Sequence, residues 1–232
     1  MSSLGHDLII VARRKNLLEE LASELKTNVR IVEMDLNSEE NCISLYNTLK
    51  DENIDVLINN AGFGDFGAFA ETSLEKELDM INVNIKAVHI LTKLFLQDMK
   101  NKNKGYILNV SSISAFLPGP LMATYYSTKS YIFRLTESIY EELQKSKSNV
   151  TICALCPGPV STEFNDIANV EFSIKSLSSR YVAKYAIDNM FRKKLIIIPG
   201  FINKLFRVFS KILPDKLLMK ISYKIQKRRD SQ

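Results

Sequence analysis

The stretch ATYYSTKSY sets Tyr125 and Lys129 four residues apart, which places both on one helical face. A phenol beside a fixed ammonium has its phenolate stabilised and its pKa lowered from about 10, as a general acid/base working near neutrality requires. The spacing alone is not selective, because Tyr46/Lys50 and Tyr223/Lys227 share it. Context separates the three. Ser112 precedes Tyr125 by thirteen residues, at the carboxyl end of the apolar run YILNV, where a hydroxyl can hydrogen-bond and polarise a substrate carbonyl. The residue at the same distance from Tyr46 is Glu33, and from Tyr223 it is Ser210, in a basic amphipathic stretch with no strand before it. Only Tyr125 also has NNAG upstream and a strand ending in PGP downstream.

Positioning such residues takes an alternation of strands and helices, and the hydrophobic pattern supplies one. Strands are expected over 8–12, 29–34, 56–59, 106–110, 150–156 and 195–198, and helices over 16–25, 39–49, a long region ending at 99, 124–143 and 181–190. Ser38 before Glu39 and Glu40 is a helix start whose acids oppose the helix dipole favourably. Six strands with helical crossovers predict an α/β fold, an open, doubly wound parallel sheet of Rossmann-like type. Ligands of such sheets sit at the carboxyl ends of the strands, which here read Arg13-Arg14, Asp35, Asn59 to Gly62, Ser111-Ser112 and Cys156 to Pro159.

The 232 residues, 46% hydrophobic, suit one continuous core with no linker, repeat or low-complexity tract. The first fifteen residues have no signal-peptide pattern and no apolar run is long enough to span a bilayer, so a cytoplasmic protein is expected. Cys153 and Cys156 form a C-x-x-C, but in a strand this spacing points the two side chains to opposite faces, so both read as core residues. His6 and His89 have no partners at ligand spacing, and no metal is expected.

Taken together, NNAG at 59–62, Asn84 in NVNIKA, Ser112, Tyr125, Lys129 and Pro157-Gly158 resemble, in order and approximate spacing, the classical short-chain dehydrogenase/reductase family. The similarity covers roughly Gly5 to Gly200, giving a domain over 1–200 and a helical extension over 201–232. The resemblance implies an oxidoreductase that interconverts a carbonyl and an alcohol by hydride transfer. Tyr125 would exchange the proton at the substrate oxygen, Lys129 would lower its pKa and hold the nicotinamide ribose, Ser112 would orient the carbonyl, and Asn84 would support a proton-relay water. Pro157, Gly158 and Thr162 would line the nicotinamide side, Asp35 would meet the adenine, and Asn59, Ala61 and Gly62 would wall the adenosine. Asn84 and Thr162 also suit plain capping or turn roles. A second strand ending in Arg13 and Arg14, with no acid for ribose hydroxyls, favours NADP(H) through its 2′-phosphate, although two arginines heading a helix need no ligand. The loops GFGDFGAF (62–69) and FLPGPLM (116–122) suggest a small apolar carbonyl or alcohol substrate.

Members of this family open with a strand, a turn T-G-x-x-x-G-x-G and the helix that receives the pyrophosphate. The chain contains none of these, and MSSLG reads as the end of that helix, so roughly thirty residues of a βαβ opening are expected upstream. Without that strand, two ladders of an interior sheet position go unpaired. Two or three lost backbone contacts to pyrophosphate amount to roughly 3–9 kcal/mol. Either the working protein starts further upstream and is an ordinary reductase, or the chain is a non-catalytic, reductase-like protein acting through membrane or partner binding.

Charge is uneven. From 200 to 232, nine Lys/Arg face Asp215 and Asp230, a balance of +7 against +5 for the whole chain. Phe201, Ile202, Leu205, Phe206, Phe209, Ile212 and Leu213 fall on one helical stripe, followed by Leu217, Leu218, Ile221 and Ile225 among lysines. The simplest expectation is a stripe packed on its own domain or on a second copy in a homo-oligomer, with solvated lysines. The alternative is peripheral contact with an anionic membrane. No aromatic platform or reading motif accompanies the charge, so no nucleic acid is expected.

Overall fold

The computed structural model describes residues 1–164, 168 and 176–227. After a 3-10 turn at Ser2–Leu4 the order is β1 (Leu8–Ala12), α1 (Lys15–Glu24), β2 (Val29–Glu33), α2 (Glu39–Leu49), β3 (Val56–Asn59) and α3 (Leu74–Ile81). Then follow α4 (Val88–Asn101), β4 (Tyr106–Val110), α5 (Ala123–Lys145), β5 (Thr151–Leu155), and the short strands β6 (Val160–Ser161) and β7 (Leu177–Ser178). The chain closes with α6 (Ser179–Phe191), β8 (Ile196–Ile197), α7 (Phe201–Ile212) and α8 (Asp215–Lys227). Side-chain oxygens of Ser38, Ser73 and Ser178 accept the backbone N–H three residues on and start α2, α3 and α6.

All strand pairs are parallel, with order β3-β4-β5-β8. The β4–β5 register pairs Leu108 with Cys153 and Val110 with Leu155. The two faces of this sheet carry different cores. Ile107 and Ile152 pack with Met99 of α4 and Leu143 of α5, while Leu108, Cys153 and Leu155 pack with Val182, Ala186 and Met190 of α6. Helices on both faces and parallel strands make the expected doubly wound α/β architecture. Cys153 and Cys156 join different clusters, and burial pushes both thiols up to about 12, so neither is a thiolate near neutrality.

The sheet is divided at the interior position where two ladders were expected to go unpaired. β1 and β2 form their own two-stranded parallel sheet, and no ladder joins β1 to β3 among the described residues. No described strand lies between them, and the distance is bridged by side chains instead. Cys42 and Leu45 of α2 with Leu91 and Phe95 of α4 gather Ile9 and Val11 from β1 and Leu57 from β3 into one cluster. Burial of that helical layer holds the two sheets in place, but the facing strand edges go without partners and Ile58 is 38% exposed.

The C-terminal helices depart from one half of the simplest expectation, the packing of the stripe on its own domain. α7 meets the body through its polar side, with Asn203 buried, the Arg207 guanidinium 5.4 Å from the Phe116 ring and 5.8 Å from that of Phe133, and Lys204 5.7 Å from the Tyr185 ring. Cation–π attraction and the aliphatic stems of these residues cover the aromatic surface beneath. The apolar stripe therefore points outward. α8 turns Leu218, Ser222 and Gln226 inward.

Candidate active site

The carboxyl ends of β3, β4 and β5 and the first turns of α5 bring the candidate residues together. Ser112 ends the segment after β4, its Oγ accepts from the Ser114 backbone N–H at 3.1 Å, and it caps the 3-10 turn Ile113–Phe116. Tyr125 lies one turn into α5, with the Ser112 and Ser114 hydroxyls facing its phenol. Lys129 follows one turn later. Its ammonium donates to the Val110 carbonyl at 2.9 Å and lies 5.9 Å from the centre of the Tyr125 ring.

Burial sets the electrostatics here. It pushes the Tyr125 phenol up to about 12, against the opposing pull of the Ser112 hydroxyl, and pulls Lys129 down to about 8. The expected lowering of the tyrosine is thus not met in this conformation. Removal from water penalises both charged forms, and the lysine's proton is directed at a carbonyl rather than at the phenolic oxygen.

Asn84 is fully buried in a π-helical turn, Asn82–Ala87, a geometry frequent at functional sites. Its Oδ1 accepts from the Phe63 N–H at 3.0 Å, and its Nδ2 donates to the Phe63 carbonyl at 2.8 Å and to Thr128 Oγ1 at 3.1 Å. Both ends of the amide therefore pin the loop after β3. A Cβ on Gly62 would come within 2.9 Å of Asn84 Oδ1 and 3.2 Å of Lys129 Nζ, so a glycine is needed where this loop passes the two side chains. Ala61 and Gly62 are exposed at the rim. Asn59 instead faces inward, donating to Thr92 Oγ1 at 2.9 Å and Asn109 Oδ1 at 2.8 Å, while Asn109 donates to Thr136 Oγ1 at 3.0 Å. That buried network ties β3, β4, α4 and α5 directly beneath the site. Asn59 was expected to wall the adenosine and instead anchors this network, whose other members, Thr92, Asn109 and Thr136, were not singled out from the sequence, since isolated Asn and Thr in apolar runs carry no spacing signal.

On one side of the site, Arg13 Nη1 lies 3.9 Å from Asp35 Oδ2, so the residues expected to meet the adenosine end do converge. Arg14 reaches further and donates to Glu163 Oε2 at 2.6 Å, one residue beyond Thr162. Thr162 Oγ1 accepts from the Phe164 N–H at 3.3 Å, a turn role. The Pro157 carbonyl accepts from the Ile113 N–H at 3.0 Å, and a Cβ on Gly158 would lie 2.6 Å from Asn203 Oδ1 of α7. On the other side, Tyr125 sits among Met122, Phe66, Phe164 and Tyr126. The loops 62–69 and 116–122 are joined there by the Gly67 N–H donating to the Leu121 carbonyl at 2.9 Å. A cavity of about 700 Å³ beside this centre is lined by Phe116, Leu117, Tyr126 and Arg134, and not by Tyr125 or Ser112.

Residues 1–171 match the family model described as short chain dehydrogenase. The chain is 31% identical over 171 residues to "Dehydrogenase/reductase SDR family member 11" of Homo sapiens, an alignment covering 69% of this chain and 66% of that protein, just under two thirds of the relative's length. It is 28% identical over 168 residues to an uncharacterised oxidoreductase of Staphylococcus epidermidis, covering 72% of each. Among solved structures, a short-chain dehydrogenase from Sphingobium yanoikuyae in complex with NADPH superposes with a TM-score of 0.79 at 23% identity, covering 92% of this chain and 89% of that one. One from Burkholderia phymatum in complex with NAD gives 0.80 at 22% identity, covering 90% and 86%. These structures share the fold. With the match to the family model covering most of its length, the chain belongs to the short-chain dehydrogenase/reductase family of oxidoreductases.

Proposed function

We propose that the protein is an NADP(H)-dependent reductase of a small apolar carbonyl compound, with Ser112, Tyr125 and Lys129 as catalytic residues and Asn84 positioning the loop beside them. The observation that carries this reading is the convergence of the Ser112 and Tyr125 hydroxyls beside a buried lysine, at the strand ends where such sheets bind ligands. The residues present suit the two ends of the cofactor. Exposed Arg13 and Arg14 offer guanidinium groups to a 2′-phosphate beside Asp35, and the bare backbone of Gly62 leaves Lys129 approachable. Ala61 and Gly62 would border the adenosine side, above the buried Asn59, and Pro157, Gly158 and Thr162 the nicotinamide side. The described residues contain no T-G-x-x-x-G-x-G turn of the family pattern to hold the pyrophosphate.

NADP(H), when bound, supplies the hydride to the carbonyl carbon. Tyr125, protonated at neutral pH because burial raises its pKa, donates its phenolic proton to the carbonyl oxygen. Ser112 hydrogen-bonds the same oxygen and stabilises the charge that develops on it. Lys129, while charged, stabilises the phenolate left behind. Met122, Phe66 and Phe164 around Tyr125 exclude water and favour an apolar substituent on the substrate.

The test is a titration with NADPH of this chain beside a version extended at its N-terminus by a strand and Gly-rich helix of the family pattern, followed by turnover of an aromatic ketone. Binding and turnover by either form, lost in turnover but not in binding on Tyr125→Phe, are expected. Turnover unchanged by Tyr125→Phe would remove that residue from its role, and failure of both forms to bind NADPH would favour a non-catalytic protein.

A further inference from the structure

The outward face of α7 is the largest feature that the reductase reading leaves unused. Phe201, Ile202, Leu205, Val208, Phe209 and Ile212 are all exposed, with Phe201 at 78% and Ile202 and Ile212 at 71% each. They make one side of a twelve-residue helix, which is about 18 Å long. The polar side of the same helix is the one fixed to the body, through Asn203 and Arg207, so the apolar face cannot be buried by rolling the helix without breaking those contacts. A contiguous exposed patch of this kind marks an interaction surface.

α8 adds the second observation. Its inward residues Leu218, Ser222 and Gln226 recur every four positions. Lys216, Lys220 and Lys224 recur at the same interval on the opposite side and are exposed, flanked by Leu217 and Ile221. Over 201–227 the sole acid is Asp215. A second copy of the chain would set this surface against itself across a two-fold axis, with lysines facing lysines and no carboxylates to answer them. An anionic lipid surface answers both features at once, taking the apolar stripe at the acyl boundary and the lysines at the headgroups. No helix among the described residues is long and apolar enough to cross a membrane, so the geometry is that of helices lying on it.

We infer that α7 and α8 dock the protein on anionic membrane surfaces, with the α7 stripe Phe201, Ile202, Leu205, Val208, Phe209 and Ile212 inserted and the α8 lysines on the headgroups. The docked helices also touch the site. Gln226 Nε2 donates to the Tyr126 hydroxyl at 2.6 Å, beside Tyr125, and Asn203 packs on Gly158.

The chain contains no tryptophan, so Phe201→Trp gives a single reporter on the inserted face. Its emission is expected to shift to the blue with vesicles containing phosphatidylglycerol, and not with pure phosphatidylcholine, and the protein is expected to co-sediment with the anionic vesicles. Combined Ile202→Ser, Phe209→Ser and Ile212→Ser is expected to weaken partitioning at least tenfold. Each lysine in the field of an anionic surface changes partitioning several-fold, so Lys216→Glu with Lys220→Glu and Lys224→Glu is expected to weaken it by about 100-fold or more. Circular dichroism of each variant confirms that it is folded. No blue shift with anionic vesicles at low salt would overturn the inference. So would binding that survives the serine substitutions, or a concentration-dependent dimer that those substitutions abolish.

Discussion

Lys129 and Tyr125 show what the spacing of residues can say and what it cannot. Their four-residue interval, and Ser112 at the end of a strand, are local features written in the chain, so the meeting of these groups was legible. Their ionisation was not, because it depends on how much water the fold removes from each. Burial holds Tyr125 protonated up to about 12 and lets Lys129 lose its proton near 8. The two shifts separate in a pH profile. In carbonyl reduction the phenolic proton is available across the working range, so the rate should be level below pH 8 and fall as pH rises through about 8, when Lys129 discharges. In alcohol oxidation, deprotonated Tyr125 is the acceptor, and the rate should climb with pH. A reduction rate that rises through pH 8 would contradict the role given to Lys129. Arg14 supplies a second prediction at this scale. Its guanidinium is paired with Glu163, and an exposed pair of this kind contributes at most about 1 kcal/mol. Glu163→Gln frees Arg14 for a 2′-phosphate and should tighten NADPH binding by up to about fivefold. NADH, which lacks that phosphate, is the control, and equal tightening of both would show that Arg14 does not read it.

At the scale of elements, strands and helices with strong apolar periodicity were readable nearly to their ends, as β1, α2 and β4 illustrate. What periodicity cannot carry is pairing. The division of the sheet between β1 and β3 was legible only through the family resemblance, which left two interior ladders unpaired, because which strands stand side by side is a long-range property with no local signature. Its consequence is unequal stability. β4 and β5 are paired on both sides and lie between two helical layers, whereas β1 and β2 are paired only with each other and no residue of β1 is fully buried. Two-stranded units are marginal alone, and local opening follows weak pairing. Amide exchange should therefore be markedly faster in 8–12 and 29–33 than in 106–110 and 151–155, and equal protection would mean that the α2 and α4 layer alone locks both sheets into one unit. The Asn59–Asn109–Thr136 network makes the opposite case, a polar device inside the rigid part. Asn109→Leu leaves Asn59 and Thr136 each short of a partner, at about 1–3 kcal/mol. Thermal melting should fall by roughly 2–12 °C for a chain of this size.

For the molecule as a whole, the contact that joins the tail to the catalytic body is small and testable. α7 begins at Phe201, beyond the match to the family model, which ends at residue 171, and its amphipathic stripe was legible, but not the side on which it docks. That was decided by Asn203, which donates to the Pro199 carbonyl at 2.7 Å and fills the space over Gly158. A methyl group on Gly158 would meet the Asn203 side chain at 2.6–2.9 Å. Asn203 is buried and hydrogen-bonded, so it cannot simply swing aside, and overpacking of this kind costs typically 1–3 kcal/mol. Gly158→Ala should therefore destabilise the protein to denaturant and loosen α7. Asn203→Ala removes the obstructing amide, and the double variant should recover part of the loss, giving a coupling energy of roughly 0.5–3 kcal/mol in a double-mutant cycle. The KM for NADPH reports the same coupling from the other side, because Gly158 borders the nicotinamide end in the proposed function. If α7 positions that loop, KM should worsen in Gly158→Ala and improve again in the double variant. Strictly additive effects on stability would mean that the tail and the body are joined elsewhere, through Arg207 on its aromatic pair or Gln226 on Tyr126.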